Sequence, residues 1–111
     1  MTNYIPLPLN DMKATHLKVE VYYNLGGFNA FTYKEEKRGY YLSVSPVEKR
    51  SRDGYSYESY TAFTGRKLLI KEVKRKSEKA MLTAIEQANA LQRELIEYVC
   101  GQNGLEMPVL E

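Results

Sequence analysis

His16-Leu17-Lys18-Val19-Glu20-Val21-Tyr22-Tyr23 is the stretch that decides the fold. Leu17, Val19, Val21 and Tyr23 fall on one side of an extended chain and Lys18, Glu20 and Tyr22 on the other. That two-residue period predicts a half-buried strand. Further along, the period changes. Met81, Ala84, Ile85, Ala88, Leu91, Leu95 and Val99 recur at spacings of three and four, which predicts one long amphipathic helix. Ser77 supplies an N-cap, and Gly101 reads as the C′ residue, followed by Gln102-Asn103-Gly104. Leu82 and Ile96 lie off the stripe, where they widen the buried face or meet a partner.

Between these two landmarks the chain reads as alternating strands and turns. Asn24-Leu25-Gly26-Gly27 is a turn. Residues 28–34 form a second strand rich in aromatics, although Phe28 and Phe31 fall on opposite faces, and a charged turn to Arg38 is closed by Gly39. The third strand covers 39–48 with Tyr40, Leu42 and Val44 inward, and Pro46 argues for an edge position or a bulge. Asp53-Gly54 predicts a type I′ hairpin into a fourth strand over 55–64. Residues 67–73 suit a fifth strand or the first turns of the helix, and β-branched Ile70 and Val73 favour the strand. Residues 1–14, with Pro6, Pro8 and Asn10-Asp11, read as an irregular arm, and 102–111 as a flexible tail. The expectation is one α+β domain over residues 15–101. It is a four- or five-stranded antiparallel β-meander with one C-terminal amphipathic helix, about 77–99, packed on one face.

The composition is that of a globular protein: 111 residues, 43% hydrophobic and 27% charged. No apolar run approaches the ~20 residues that cross a bilayer. The opening residues lack a basic region and carry Pro6 and Pro8, unlike a signal peptide. With Cys100 as the single cysteine no intrachain disulfide forms, so a cytoplasmic location and no membrane partner are expected. Leu110-Glu111 is either native or a cloning scar.

Several segments are similar to a family of small proteins of unknown function carried by bacteriophages and mobile elements of gut bacteria. They are Gly26-Gly27, Phe31-Thr32-Tyr33, Arg38-Gly39-Tyr40-Tyr41, Ser43-Val44-Ser45-Pro46-Val47, Glu58-Ser59-Tyr60-Thr61-Ala62-Phe63-Thr64-Gly65 and Glu72-Val73-Lys74-Arg75-Lys76-Ser77. The similarity covers about residues 17–85. It implies a bacterial or phage cytoplasmic protein and carries no chemistry with it.

The side chains for catalysis are few. His16 is the only histidine, at a strand start, and Cys100 sits at a helix C-terminus, where the dipole raises a thiol pKa. One cysteine and one histidine do not make a conventional zinc site. Glu48, Asp53 and Glu58 bracket the Asp-Gly hairpin but are interleaved with Lys49, Arg50 and Arg52. The Gly26-Gly27 pair precedes a strand, so no phosphate-cradling loop is expected. The reading is a non-enzymatic protein with no cofactor, no metal and no catalytic residue.

Charge is more informative. The net charge is +2, yet residues 66–79 hold Arg66, Lys67, Lys71, Lys74, Arg75, Lys76 and Lys79 against Glu72 and Glu78, a local +5. From 80 onward Arg93 stands against Glu86, Glu94, Glu97, Glu106 and Glu111. Cations at a helix N-terminus and anions at its C-terminus both oppose the macrodipole. Three readings compete: a solvated surface, an anion site for nucleic-acid phosphates, and an antiparallel helix dimer joined through Leu82 and Ile96. The ten tyrosines suit half-buried strands. Tyr22, Tyr41 and Tyr60 fall on the polar phase, where rings beside Arg38, Lys18 and Arg50 could stack bases or anchor a protein. The leading expectation is a small binding module for nucleic acid, with Arg38, Tyr41, Tyr60 and the seven cations of 66–79 as its contacts. The rival is a protein-interaction or inhibitor module, monomeric or weakly homodimeric through the helix, and an enzyme of unknown type comes third. A near-neutral net charge argues against a dedicated high-affinity nucleic-acid binder.

Overall fold

A computed structural model describes residues 1–60 and 63–110. Its elements in order are β1 (Thr2–Pro6), β2 (His16–Asn24), β3 (Gly27–Asn29), β4 (Lys34–Glu36), β5 (Gly39–Arg52), β6 (Tyr55–Ser59), β7 (Arg66–Glu72) and α1 (Glu78–Gln102). Five strands form one antiparallel sheet in the order β1-β2-β5-β6, with β7 also paired to β5. β3 and β4 form a separate two-stranded sheet, and α1 follows. The fold is α+β.

Alternation puts Leu17, Val19 and Val21 of β2 beside Leu42, Val44 and Tyr40 of β5, and all six are buried. Against this face α1 lays Ala80, Ala84, Ala88, Leu95, Ile96, Val99 and Cys100. The expected helical stripe is therefore rotated: Met81 and Leu91 are exposed, Ile85 is partly buried, and Ile96 is fully buried. Three alanines one turn apart let the helix approach the sheet closely, which pushes the longer side chains to the flanks. This corrects the dimer reading, because Ile96 is core and only Leu82 remains exposed.

Five of the expected boundaries also change. The irregular arm of 1–14 contains a strand, β1, paired in register from Thr2↔Glu20 to Pro6↔His16. It is an edge strand, so the N–H that Pro6 lacks is not missed. Asn10 closes the loop to β2, donating to the carbonyls of Pro8 and Ala14 and accepting from the Ala14 N–H. The strand expected over 28–34 is the hairpin β3–β4 and lies outside the main sheet. β5 extends to Arg52 rather than ending at 48; Pro46 sits within it, beyond the last β7 rung at Val44. The helix runs through Gly101 and is capped by Asn103, whose amide ties the Val99 carbonyl to Thr64; Gly104 carries the positive φ instead. The tail is packed, with Leu105 and Pro108 buried and Met107 and Leu110 against the core.

Other expectations are met. Asp53 and Gly54 both have positive φ, as the tight turn into β6 requires. Residues 66–72 are a strand, and Ser77 caps α1 through its hydroxyl, which accepts from the Ala80 N–H at 3.1 Å. Residues 61–62 of the expected fourth strand, and Glu111, lie outside the described residues.

Candidate nucleic-acid interface

One register row organises the surface. Asn24 of β2 pairs with Gly39 of β5, and Gly39 pairs with Glu72 of β7. The β3–β4 hairpin therefore leaves and re-enters the sheet at the same end from which β7 runs into the basic segment 73–79. The strands pack tightly there. A Cβ on Gly39 would lie 2.2 Å from the Lys71 carbonyl oxygen, so only glycine fits.

From Glu72 the chain turns over the core. The Val73 N–H donates to the Arg38 carbonyl. Buried Tyr40 holds the helix start, its hydroxyl donating to the Ser77 carbonyl at 3.2 Å and accepting the Ser77 N–H at 3.4 Å. With the backbone anchored, Lys74, Arg75, Lys76 and Lys79 all project into solvent. None of them pairs with a carboxylate among the described residues. By contrast Lys18, Lys37, Arg50, Arg52, Lys67 and Arg93 do so. Lys76 lies 6.0 Å from the Tyr23 ring centroid. Arg38 joins the cluster by donating to the carbonyls of Leu25 (2.8 Å) and Lys74 (3.4 Å), which ties the hairpin base to the basic segment.

The other sequence-predicted contacts lie elsewhere or are engaged within the fold. β7 is extended, so Arg66 stands ~20 Å from Glu72, with its guanidinium 4.4 Å from the Tyr98 ring. Lys67 is paired to Glu36 at 2.6 Å, and Lys71 is half-buried. Tyr41 is buried, stacked on Tyr22 at 5.9 Å, and its hydroxyl donates to the Lys37 carbonyl. Its ring is not available to a base.

Tyr60 belongs to a network at the opposite end of the sheet. The Tyr4 hydroxyl donates to Glu58 Oε1, and Lys18 Nζ reaches Glu58 Oε2 at 3.3 Å and the Tyr60 hydroxyl at 2.9 Å. Tyr60 donates to Glu58 Oε2 at 2.5 Å, and the Lys49 ammonium lies 3.9 Å from the Tyr4 ring centroid. Hydrogen bonds from Tyr4, Tyr60 and Lys18 hold the Glu58 carboxyl below its ordinary range. Lys18 is held above the lysine range by Tyr60 and, against the opposing effect of burial, by Glu58. Glu48, Asp53 and Glu58 do not converge. They pair with Arg50, Arg52 and Lys18 respectively. His16 Nδ1 sits 2.8 Å from the Thr15 hydroxyl, and burial with nearby Lys49 lowers its pKa. Cys100 is buried, and burial pushes its thiol up.

Sequence reasoning missed the aromatic hairpin. Leu25, Phe28, Phe31 and Tyr33 are 69, 62, 96 and 81% exposed, more than a lone surface ring calls for. The tip is nevertheless ordered by Asn29. Its Oδ1 accepts from the N–H groups of Phe31 (2.9 Å) and Thr32 (3.3 Å), and its carbonyl accepts from the Tyr33 N–H (2.8 Å). Beneath the tip the Glu36 carboxylate gathers Lys67, Asn29 and Asn24 and is held below its ordinary pKa by them. The available signal was the phase conflict between Phe28 and Phe31, which no single sheet face could satisfy.

No described helix is long and apolar enough to cross a membrane. In comparisons with known proteins, no family model, no curated protein and no solved structure matches the chain.

Proposed function

We propose that this chain is a non-catalytic, cytoplasmic binding module that grips the phosphate backbone of nucleic acid through Lys74, Arg75, Lys76 and Lys79, with Arg38 beside them. One observation carries the reading: four exposed cations at the start of α1 have no carboxylate partner among the described residues, although Glu72 beside them pairs with Lys37 and acidic side chains pair with five further basic ones. The helix start adds positive potential of its own. Keeping these charges unpaired there opposes the helix dipole, and a bound polyanion removes that conflict. A near-neutral net charge suits a local, moderate grip rather than a charged face wrapped by a duplex.

Gel retardation or fluorescence anisotropy across a salt series tests this. Binding is expected in the tens-of-micromolar range or tighter at low salt, about the weak end of non-specific affinity, with a log–log slope of about −0.7 to −0.9 per phosphate contact. The triple variant Lys74→Gln, Arg75→Gln, Lys76→Gln should flatten the slope by about 2 to 3. A parent that shifts no nucleic acid at low salt removes the proposal and leaves the protein-interaction reading in its place.

A further inference from the structure

Resting on that reading, we propose that the β3–β4 hairpin is a base-stacking element that makes the site selective for single-stranded nucleic acid. Four facts converge on it. Phe28, Phe31 and Tyr33 are exposed on a protrusion of only three-residue strands, where they contribute nothing to the sheet's core. Phe28 and Tyr33 brace each other edge-on, with ring centroids 6.4 Å apart, and Phe31 stands free at 96% exposure. Asn29 and Glu36 lock the turn, so the rings are held out with little ordering left to do on binding. Arg38 ties the base of the hairpin to the backbone of Lys74, which puts the rings and the unpaired cations at one end of the sheet.

Planar rings flanked by cations match the chemistry of an unpaired strand: bases that stack on any aromatic face, joined by phosphates that need positive charge. In a duplex the base faces are occupied by their neighbours, so the rings would have nothing to stack on. An anionic membrane surface shares the taste for apolar tips and basic flanks. The hairpin, however, carries Glu35 directly across from Phe28, and a carboxylate among the inserting groups opposes burial in an anionic interface.

The test compares three probes of equal length, about 16 nucleotides, the upper end of one binding site: labelled oligothymidylate, a labelled abasic oligonucleotide with the same phosphates, and a blunt duplex. Vesicles of phosphatidylglycerol and phosphatidylcholine form a fourth arm. The parent should prefer oligothymidylate to the abasic strand by about five-fold or more, the lower end of one stacked base. Phe31→Ala should erase most of that preference with the salt slope unchanged, and Phe31→Trp should restore it. Because Phe31 touches no core residue, thermal unfolding of both variants should match the parent. Equal affinity for the oligothymidylate and abasic strands, with the slope still set by Lys74, Arg75 and Lys76, would overturn stacking and leave backbone binding standing. Binding to no oligonucleotide would overturn both readings. Vesicle binding that depends on Phe31, with oligonucleotides indifferent to it, would overturn the proposal in favour of a membrane surface.

Discussion

The two ends of the sheet treat polar side chains in opposite ways. At the end near Tyr4 and Glu58, one carboxylate is shared by Tyr4, Lys18 and Tyr60, and Lys49 covers the Tyr4 ring. Lys18 and Glu58 answer each other across strands, Glu48 and Arg50 pair along β5, and the Glu58 network fastens β6 to β1 and β2. At the end defined by Asn24, Gly39 and Glu72, the cations of 74–79 answer to no carboxylate among the described residues and the hairpin rings face water. A network closed on itself serves the fold. Groups left open beside one another, on a backbone held in place by Tyr40, Ser77 and Arg38, are the ones we propose to meet a partner outside it.

Breaking the closed end should have the larger effect on stability. Glu58→Ala removes the acceptor shared by three donors, two of them partly buried, and should cost about 1–2 kcal/mol in urea unfolding, the scale of leaving such partners unmatched. An unchanged midpoint would mean that the network is ornamental. pH sharpens the same point. Glu58 and Glu36 have folded pKa values below their unfolded ones. Their contribution is therefore complete above the ordinary carboxylate range and is lost as pH falls through the depressed folded values. Stability should fall at acid pH in the parent and fall less in Glu58→Ala.

The open end should respond with the opposite sign and a smaller size. Replacing Lys74, Arg75 and Lys76 by Gln removes cations beside the positive end of α1. It should leave stability unchanged or raise it by up to about 1 kcal/mol. A loss larger than that in thermal or urea unfolding would show that these side chains serve the fold, and the contrast between the two ends would disappear.

The parts of this molecule that were legible in the sequence are those buried on one side only. β2 shows its alternation because one face meets α1 and the other does not, and α1 shows its capping serine and its long periodic run. β1 was illegible because an edge strand tolerates Pro6 and needs no apolar alternation, its residues being mostly exposed. The helix face was misplaced at its edges: the expected stripe held Ala84, Ala88, Leu95 and Val99 correctly but took the larger Met81 and Leu91 as inward and passed over Ala80, Ile96 and Cys100. For the site, the basic run was visible as charge, but sequence adjacency said nothing of place. β7 is extended, so Arg66 is carried away from the cluster to Tyr98, and Lys67 is taken up by Glu36 beneath the hairpin. The tyrosines expected to stack bases turned out to pack on each other or close a network, while the exposed rings sit in a hairpin that read as a sheet strand.

The most direct measurement is an amide chemical-shift map of the labelled protein titrated with a short oligothymidylate at low salt. The perturbed amides should cluster in residues 25–38 and 73–80, with the Thr2–Pro6 and Tyr55–Ser59 strands silent. Shifts centred on Tyr4, Lys18 and Glu58, with 25–38 and 73–80 unmoved, would place binding at the closed end and overturn the proposed interface.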